Sequence, residues 1–491
     1  MLSFFKHLLH GSIVYGIGSG ATQLVGFLLV PLYTRLLTPQ DYGHLEILVT
    51  TASVLTILLL FGMQNSLFRF SFDSSDAAHK KLVLSTTNVF VWCVTAVLVG
   101  ILALNANHLG TRLLGQTGHA LSVLIVLAFA GVAATQYIAK SVLRINNQPI
   151  PYARISLLEA VLKACLGILL VAGLQLGYVG ALIGSFTAAG LGTALSYYLI
   201  RQHLQLRFSW PLCRQMLRYG LPFVPAALSI LIMTFSDRYF LLAYSDAAEL
   251  GLYSVGARFA SAVALAIGAF RLAWPEAALS ILHQKDRDST YARSLTYFIF
   301  VGCVMVLGLS LFGEPLLRLM TPPEYHDGAK VIPLLSLGLV FNGSASIVAV
   351  GRIVTKRMAT EILVTGIPAG LNLALNWLLV PPFGMMGAAW ATMGSFALMA
   401  LLSWYASNRL YHIDYEWPRL AKALLPLAVL LALAHLVHID QAPYDMLFRA
   451  AVFIAYFAVL LALKWPKVGE MQYVKMSVKR LPRPKTRTRK A

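Results

Sequence analysis

Four cationic side chains, Lys163, Arg238, Arg258 and Arg271, fall inside long apolar stretches of this sequence. The carboxylates of Glu159 and Asp237 do so too, and Glu276 stands at the end of one such stretch. An ionisable group in an apolar span is costly, so each marks a candidate functional position. Arg238 or Arg258 could bind an anionic substrate in a cavity between helices. Asp237 and Arg258 are expected at equal depth on consecutive spans, about 10 Å from one surface at 1.5 Å per residue, which predicts an Asp237–Arg258 ion pair. Glu159 and Lys163 stand one turn apart in the favourable acid-first order and are expected to pair near the cytoplasmic interface, where a lysine can snorkel. Arg271 is placed at the inner interface on the same grounds. Four amides, Gln23, Asn342, Asn372 and Asn376, fall near mid-span. They could hydrogen-bond sugar hydroxyls or bind helix to helix.

Other chemistry is missing. The chain has no Gly-Lys dipeptide, no His-Glu pair and no G-x-S-x-G run, so it carries no phosphate loop, zincin helix or hydrolase elbow. The run Gly16-Ile17-Gly18-Ser19-Gly20 follows no strand and is read as close helix packing. No catalytic constellation, metal site or cofactor is expected, and the chain is read as a non-enzyme. Cys93, Cys165, Cys213 and Cys303 are not spaced as a metal or redox pair and are read as small buried hydrophobes.

The elements that position these groups follow from composition. Of 491 residues, 58% are hydrophobic and only 12% charged, about half the charged fraction of soluble proteins. At about 20 apolar residues per crossing, this predicts an all-α polytopic membrane protein. Apolar runs fall at 11–33, 47–68, 82–104, 119–139, 155–173, 179–200, 219–243, 251–274, 294–313, 331–350, 361–380, 386–407, 423–438 and 447–463, about fourteen spans. No cleavable signal peptide is expected. Alternate loops and the tail hold 30 Lys and Arg, against 5 in the others, which places both termini in the cytoplasm. Much of the net charge of +19 is therefore a topology signal rather than a sign of nucleic acid. The basic tail, residues 464–491, is expected to be solvated or to rest on anionic lipid. Pro222 and Pro225 predict an early break in the seventh span.

Short motifs recur at one offset. Tyr15-Gly16 matches Tyr219-Gly220, Gly43 matches Gly251, and Gly177 to Ala181 matches Gly384 to Ala388, at offsets of 204 to 208 residues. Two parallel six-helix repeats are expected, residues 1–200 and 201–407, followed by two added helices over 408–463 and then the tail. An even number of spans gives both repeats one orientation, with an axis along the membrane normal.

The run Arg35-Leu36-Leu37-Thr38-Pro39-Gln40-Asp41-Tyr42-Gly43 resembles the start of the polysaccharide transporter family. These are the O-antigen-type flippases of the multidrug/oligosaccharidyl-lipid/polysaccharide (MOP) superfamily. Tyr219-Gly220-Leu221-Pro222, Ser236-Asp237-Arg238 and Gly251-Leu252-Tyr253-Ser254 with Arg258 carry the resemblance into the second half. It implies two MATE-like lobes around a cavity that opens alternately to either side. It also implies a polyprenyl-diphosphate-linked oligosaccharide substrate, moved to the outer leaflet of a bacterial inner membrane for lipopolysaccharide, O-antigen or exopolysaccharide synthesis. The implied partners are that glycan, membrane lipids and other assembly proteins. Arg238 and Arg258 suit the diphosphate. Coupling to H+ or Na+ stays open. The alternatives are a multidrug/cation antiporter, for which membrane acids are scarce here, a cell-wall lipid-precursor flippase, and a non-transporting scaffold.

Overall fold

The computed structural model describes residues 20, 23–73, 76–115, 118–205, 207–282, 284, 286–355, 360–437 and 441–466. Tyr15-Gly16, the glycine run from Gly16 to Ser19 and most of the basic tail lie outside the described residues.

The first half holds α1 (Gln23–Leu36), α2 (Pro39–Leu60), α3 (Met63–Ser71), α4 (Ala77–Leu104), α5 (Ala106–Leu114), α6 (Ala120–Ile145), α7 (Pro149–Gly167) and α8 (Gly177–Ile200). The second holds α9 (Trp210–Gly220), α10 (Val224–Tyr244), α11 (Ala247–Ser280), α12 (Arg287–Met320), α13 (Ile332–Val348), α14 (Val350–Thr355) and α15 (Glu361–Leu410). The appended helices are α16 (Trp417–Leu436) and α17 (Ala442–Ala462). There is no strand among the described residues.

Among the described residues, twelve helices are long and apolar enough to cross a membrane. One of them, α15, is 50 residues long, about 75 Å at 1.5 Å per residue and far more than one crossing requires. It breaks at Gly384, whose φ of 51° lies in the left-handed region that glycine adopts without strain. The Glu249 carboxylate accepts the Met385 N–H at 2.7 Å just past the break, a favourable place for negative charge at a helix start. The Leu221–Phe223 turn, which holds Pro222, separates α9 from α10, and Pro225 lies in the first turn of α10.

The second span differs from its expected limits. The run read at 47–68 is helical over Pro39–Leu60. Pro39 occupies the first helical position and the Thr38 hydroxyl accepts the Asp41 N–H at 3.1 Å, which starts the helix early. The same device opens α11, where the Asp246 carboxylate accepts the Glu249 N–H at 2.7 Å. The two caps stand 208 residues apart in the chain.

α2 and α11 cross at glycines bearing that same offset. A Cβ built on Gly43 would lie 1.8 Å from the Ala247 carbonyl oxygen, and one on Gly251 would lie 2.0 Å from the Pro39 carbonyl oxygen. Each glycine thus meets the residue one turn before the other, so the contact is reciprocal, as a two-fold relation requires. Small residues let membrane helices approach to backbone contact in this way. One apolar core runs through the crossing, including Leu45, Ile47 and Leu48 of α2 with Leu250, Tyr253 and Phe259 of α11.

The appended helices dock on α12 at both ends. Arg449 of α17 bonds the Leu311 carbonyl at 2.7 Å and Glu314 at 3.0 Å. At the other end Thr296 donates to Glu416 at 3.0 Å, and Arg419 and Trp465 exchange side-chain to backbone bonds at 3.2 and 3.0 Å.

Candidate functional site

The crossing of α2 and α11 carries the charged residues that face across the two halves. On α2, Gly43, Glu46 and Thr50 follow one another at helical spacing, and on α11 so do Gly251, Ser254 and Arg258. Glu46 lies seven residues inside α2, about 10 Å along its axis, and its side chain is 8% exposed.

Glu46 binds two guanidinium groups of the second half. Arg238 Nε donates to Oε1 at 3.2 Å and Arg258 donates to Oε2 at 3.2 Å. Arg238 is buried and held further, donating to Asp237 at 2.9 Å and to the Thr234 carbonyl at 2.9 Å. The Tyr253 hydroxyl donates to the other Asp237 oxygen, and Thr392 reaches the same oxygen at 3.4 Å. Arg258 is different: its side chain is 42% exposed. The Tyr42 hydroxyl also lies against it.

The expected Asp237–Arg258 pair is therefore corrected. Asp237 is taken by its neighbour Arg238 and by Tyr253, while Arg258 reaches across to Glu46. Equal depth on adjacent helices was insufficient, because the α11 face bearing Arg258 turns to α2. The expected Glu159–Lys163 pair is corrected as well. Glu159 accepts from Lys140 at 2.7 Å and from Gln136 at 2.5 Å, both on α6. Lys163 has no hydrogen bond or ion pair among the described residues. Because α7 begins at Pro149, Lys163 stands about 21 Å along it, well beyond the interface where it was expected to snorkel. It is close enough to Arg258 and Glu46 for their charges to act on it.

The cluster is thus three cations, Lys163, Arg238 and Arg258, around two carboxylates, Glu46 and Asp237. Its charge is carried mainly by the two cations with least local compensation, one from each half. Such a group can bind an anion with more than one negative oxygen.

The remaining expected residues lie elsewhere. Arg271 is exposed and 13 residues beyond Arg258, about 20 Å along α11. Asn372 and Asn376 are fully buried and bond each other at 2.9 Å, and Ser236 donates to Asn372 at 2.6 Å. They join α15 to α10 rather than presenting amides to a ligand. Asn342 is half-buried on α13, and Gln23 is exposed where α1 enters the described residues. Cys213 and Cys303 are buried as expected, but Cys93 and Cys165 are exposed; on spanning helices an apolar thiol can face lipid.

Sequence reasoning missed Glu46 because the apolar run was started at residue 47. The signal was present in Thr38-Pro39-Gln40-Asp41, a cap and first turn that set the helix start at residue 39.

A family described as "Polysaccharide biosynthesis protein" matches residues 8–273. The chain is 30% identical over 129 residues to an uncharacterized membrane protein of Methanocaldococcus jannaschii. It is 27% identical over 129 residues to the capsular polysaccharide biosynthesis protein CapF of Staphylococcus aureus. Both matches take in 25% of this chain, and they span only 24% and 32% of the two relatives. Among solved structures, the lipid II flippase MurJ in an inward closed conformation is similar with a TM-score of 0.75 at 16% identity, over 92% of this chain and 99% of that one. A MOP superfamily transporter from Pyrococcus furiosus gives a TM-score of 0.62 at 15% identity, over 82% of this chain and 95% of that one. An inward-facing multidrug resistance MATE family transporter of that superfamily gives 0.61 at 14% identity, over 82% and 94%. At these identities the likeness is one of fold.

Proposed function

We propose a function from a premise that the family match supplies: the chain belongs to the polysaccharide biosynthesis protein family, as a multi-pass membrane protein of the MOP flippase and transporter type. We read it as a flippase that moves a polyprenyl-diphosphate-linked oligosaccharide from the cytoplasmic to the outer leaflet of a bacterial inner membrane. Translocation makes and breaks no covalent bond, so the protein is a transporter and not an enzyme. The lobes are residues 1–200 and 201–407, and they open alternately to either side of the cluster between them.

One observation carries this reading. Lys163 from the first half and the half-exposed Arg258 from the second place excess positive charge within the spans, where the two halves meet. Excess positive charge at that depth is costly, and a diphosphate headgroup would balance it. The glycan would pass between the halves while the lipid tail stays in the bilayer. A cation antiporter is less well supported. The three deep carboxylates, Glu46, Glu159 and Asp237, each already hold a Lys or Arg side chain, which leaves none open to a cationic drug.

The test is where lipid-linked glycan accumulates when the gene is deleted and restored, in a strain lacking other flippases. Spheroplasts are probed with an impermeant sugar-reactive label before extraction. Glycan lipid that escapes the label in the deletion and gains it on complementation supports the reading. Equal labelling with and without the protein overturns it.

A further inference from the structure

We propose that Glu46 is a resident anion: it occupies the guanidinium of Arg258 until the substrate diphosphate takes that place, and its displacement loosens the α2–α11 crossing between the two halves. The inference rests on the flippase reading and assigns to that site a positioning residue.

Glu46 belongs to the first half and both its partners to the second, so its two carboxylate oxygens tie the halves together. The partners are unequal. Arg238 keeps Asp237 and the Thr234 carbonyl when Glu46 leaves. For Arg258, Glu46 is the sole carboxylate partner among the described residues, and the same guanidinium is the member of the cluster open to an approaching ligand. Lys163 adds a further positive charge on which both act. A diphosphate offers more negative charge and more acceptor oxygens than one carboxylate, in a form that suits a guanidinium fork and an ammonium together. It therefore takes Arg258 from Glu46.

The geometry beneath the ion pair says what then remains. In the reciprocal crossing, the position matching Glu46 is Ser254 and the position matching Arg258 is Thr50, each 208 residues away. Both are buried, and neither hydroxyl has a hydrogen-bond partner among the described residues. The two-fold relation thus sets a charged contact on one side and neutral hydroxyls on the other. Once Arg258 lets go of Glu46, the α2–α11 crossing loses its only ion pair among the described residues and is held by apolar and glycine packing, while Arg238 and the Thr51–Tyr239 bond still join α2 to α10.

The experiment uses the full chain in lipid nanodiscs with its four cysteines replaced by alanine and Ser254→Cys as a reporter. Binding of polyprenyl diphosphate and, separately, of inorganic diphosphate is measured for the parent, Glu46→Gln and Glu46→Asp, along with labelling of the reporter by a polar maleimide. Glu46→Gln is expected to bind polyprenyl diphosphate on the order of tenfold more tightly, the scale of one lost charge-assisted competitor. Glu46→Asp should stay near the parent. The reporter should label faster in Glu46→Gln without ligand, and in the parent only with ligand. Tightening for both diphosphates assigns the effect to the headgroup; tightening for inorganic diphosphate alone overturns a lipid-linked ligand. Parent binding that Glu46→Gln leaves unchanged overturns the resident-anion role and leaves the flippase reading standing. Absence of binding by the parent overturns both. Should Glu46→Gln fail to accumulate, labelling of the parent decides: dependence on ligand supports displacement, and indifference to ligand overturns it.

Discussion

Arg258 and Lys163 are set apart from the other cations of the spans by what surrounds them rather than by their type. Arg238 is enclosed by two carboxylates and a carbonyl, whereas Arg258 shares one carboxylate and stands half-exposed. Arg258→Ala should therefore abolish glycan export while membrane levels stay normal, and Lys163→Ala should reduce it. Arg258→Lys should recover export only in part, because an ammonium lacks the planar fork. Surface glycan and membrane protein, quantified together, check this; wild-type export from a stably inserted Arg258→Ala would sink the assignment. Glu159 calls for a different experiment. It neutralises Lys140 at 2.7 Å inside the first half, so Glu159→Ala leaves a partly buried ammonium unpaired. The expected loss is about 3–5 kcal/mol of stability, read as a lower melting temperature in detergent, and Lys140→Met in the same chain should restore most of it. At this scale the sequence was only half legible. Hydropathy revealed Lys163, Arg238, Asp237 and Arg258 because a charge in an apolar run stands out, but it could not say which way a helix face turns. Partners such as Glu46 and Lys140 depend on that rotation.

The elements were more legible, since apolar runs about 20 residues long have few alternatives to a spanning helix. The discrepancy at α2 came from weighting hydropathy over capping: residues 39 to 46 are polar in part, yet Pro39 and the Thr38 cap commit them to the helix. The repeat motifs were visible too, as Gly43 and Gly251 at one offset, but spacing alone did not reveal that these two glycines lie in one contact. That contact leads to a paired prediction. Gly43→Ala and Gly251→Ala each push a methyl group to within 2.0 Å of a carbonyl oxygen of the facing helix, so the helices must separate. Each should cost about 1–3 kcal/mol or more, the two losses should be similar because the contacts are reciprocal, and the double variant should lose less than the sum because the first methyl already opens the crossing. Melting temperatures of the purified single and double variants check the set. Strictly additive losses would mean that the two glycines do not share one contact.

For the whole molecule, orientation determines what the central cluster does. The basic loops outnumber the others by 30 to 5 in Lys and Arg, and from this we propose that the start of α2, the end of α10 and the start of α11 lie at the outer face. On that reading Glu46 lies about 10 Å inside the outer face, and its ion pairs would close the outer side of the interface between the halves. α16 and α17 dock on the second half, through Thr296 and Glu314 of α12 and through the ring contact of Trp417 with Trp404 of α15. On the proposed alternating-access reading, this asymmetric load would leave the first half free to move against the second. The orientation is open to a direct test with single cysteines in the cysteine-free chain. His108→Cys lies beyond α4, and Asp414→Cys lies between α15 and α16 with its native side chain almost fully exposed. In intact cells an impermeant maleimide should label the first and spare the second, and both should label once the membrane is permeabilised. The reverse pattern would place the Glu46 contacts at the cytoplasmic side. Displacement of Glu46 by a diphosphate would then open the molecule inward, and the direction proposed for the glycan would have to be reversed with it.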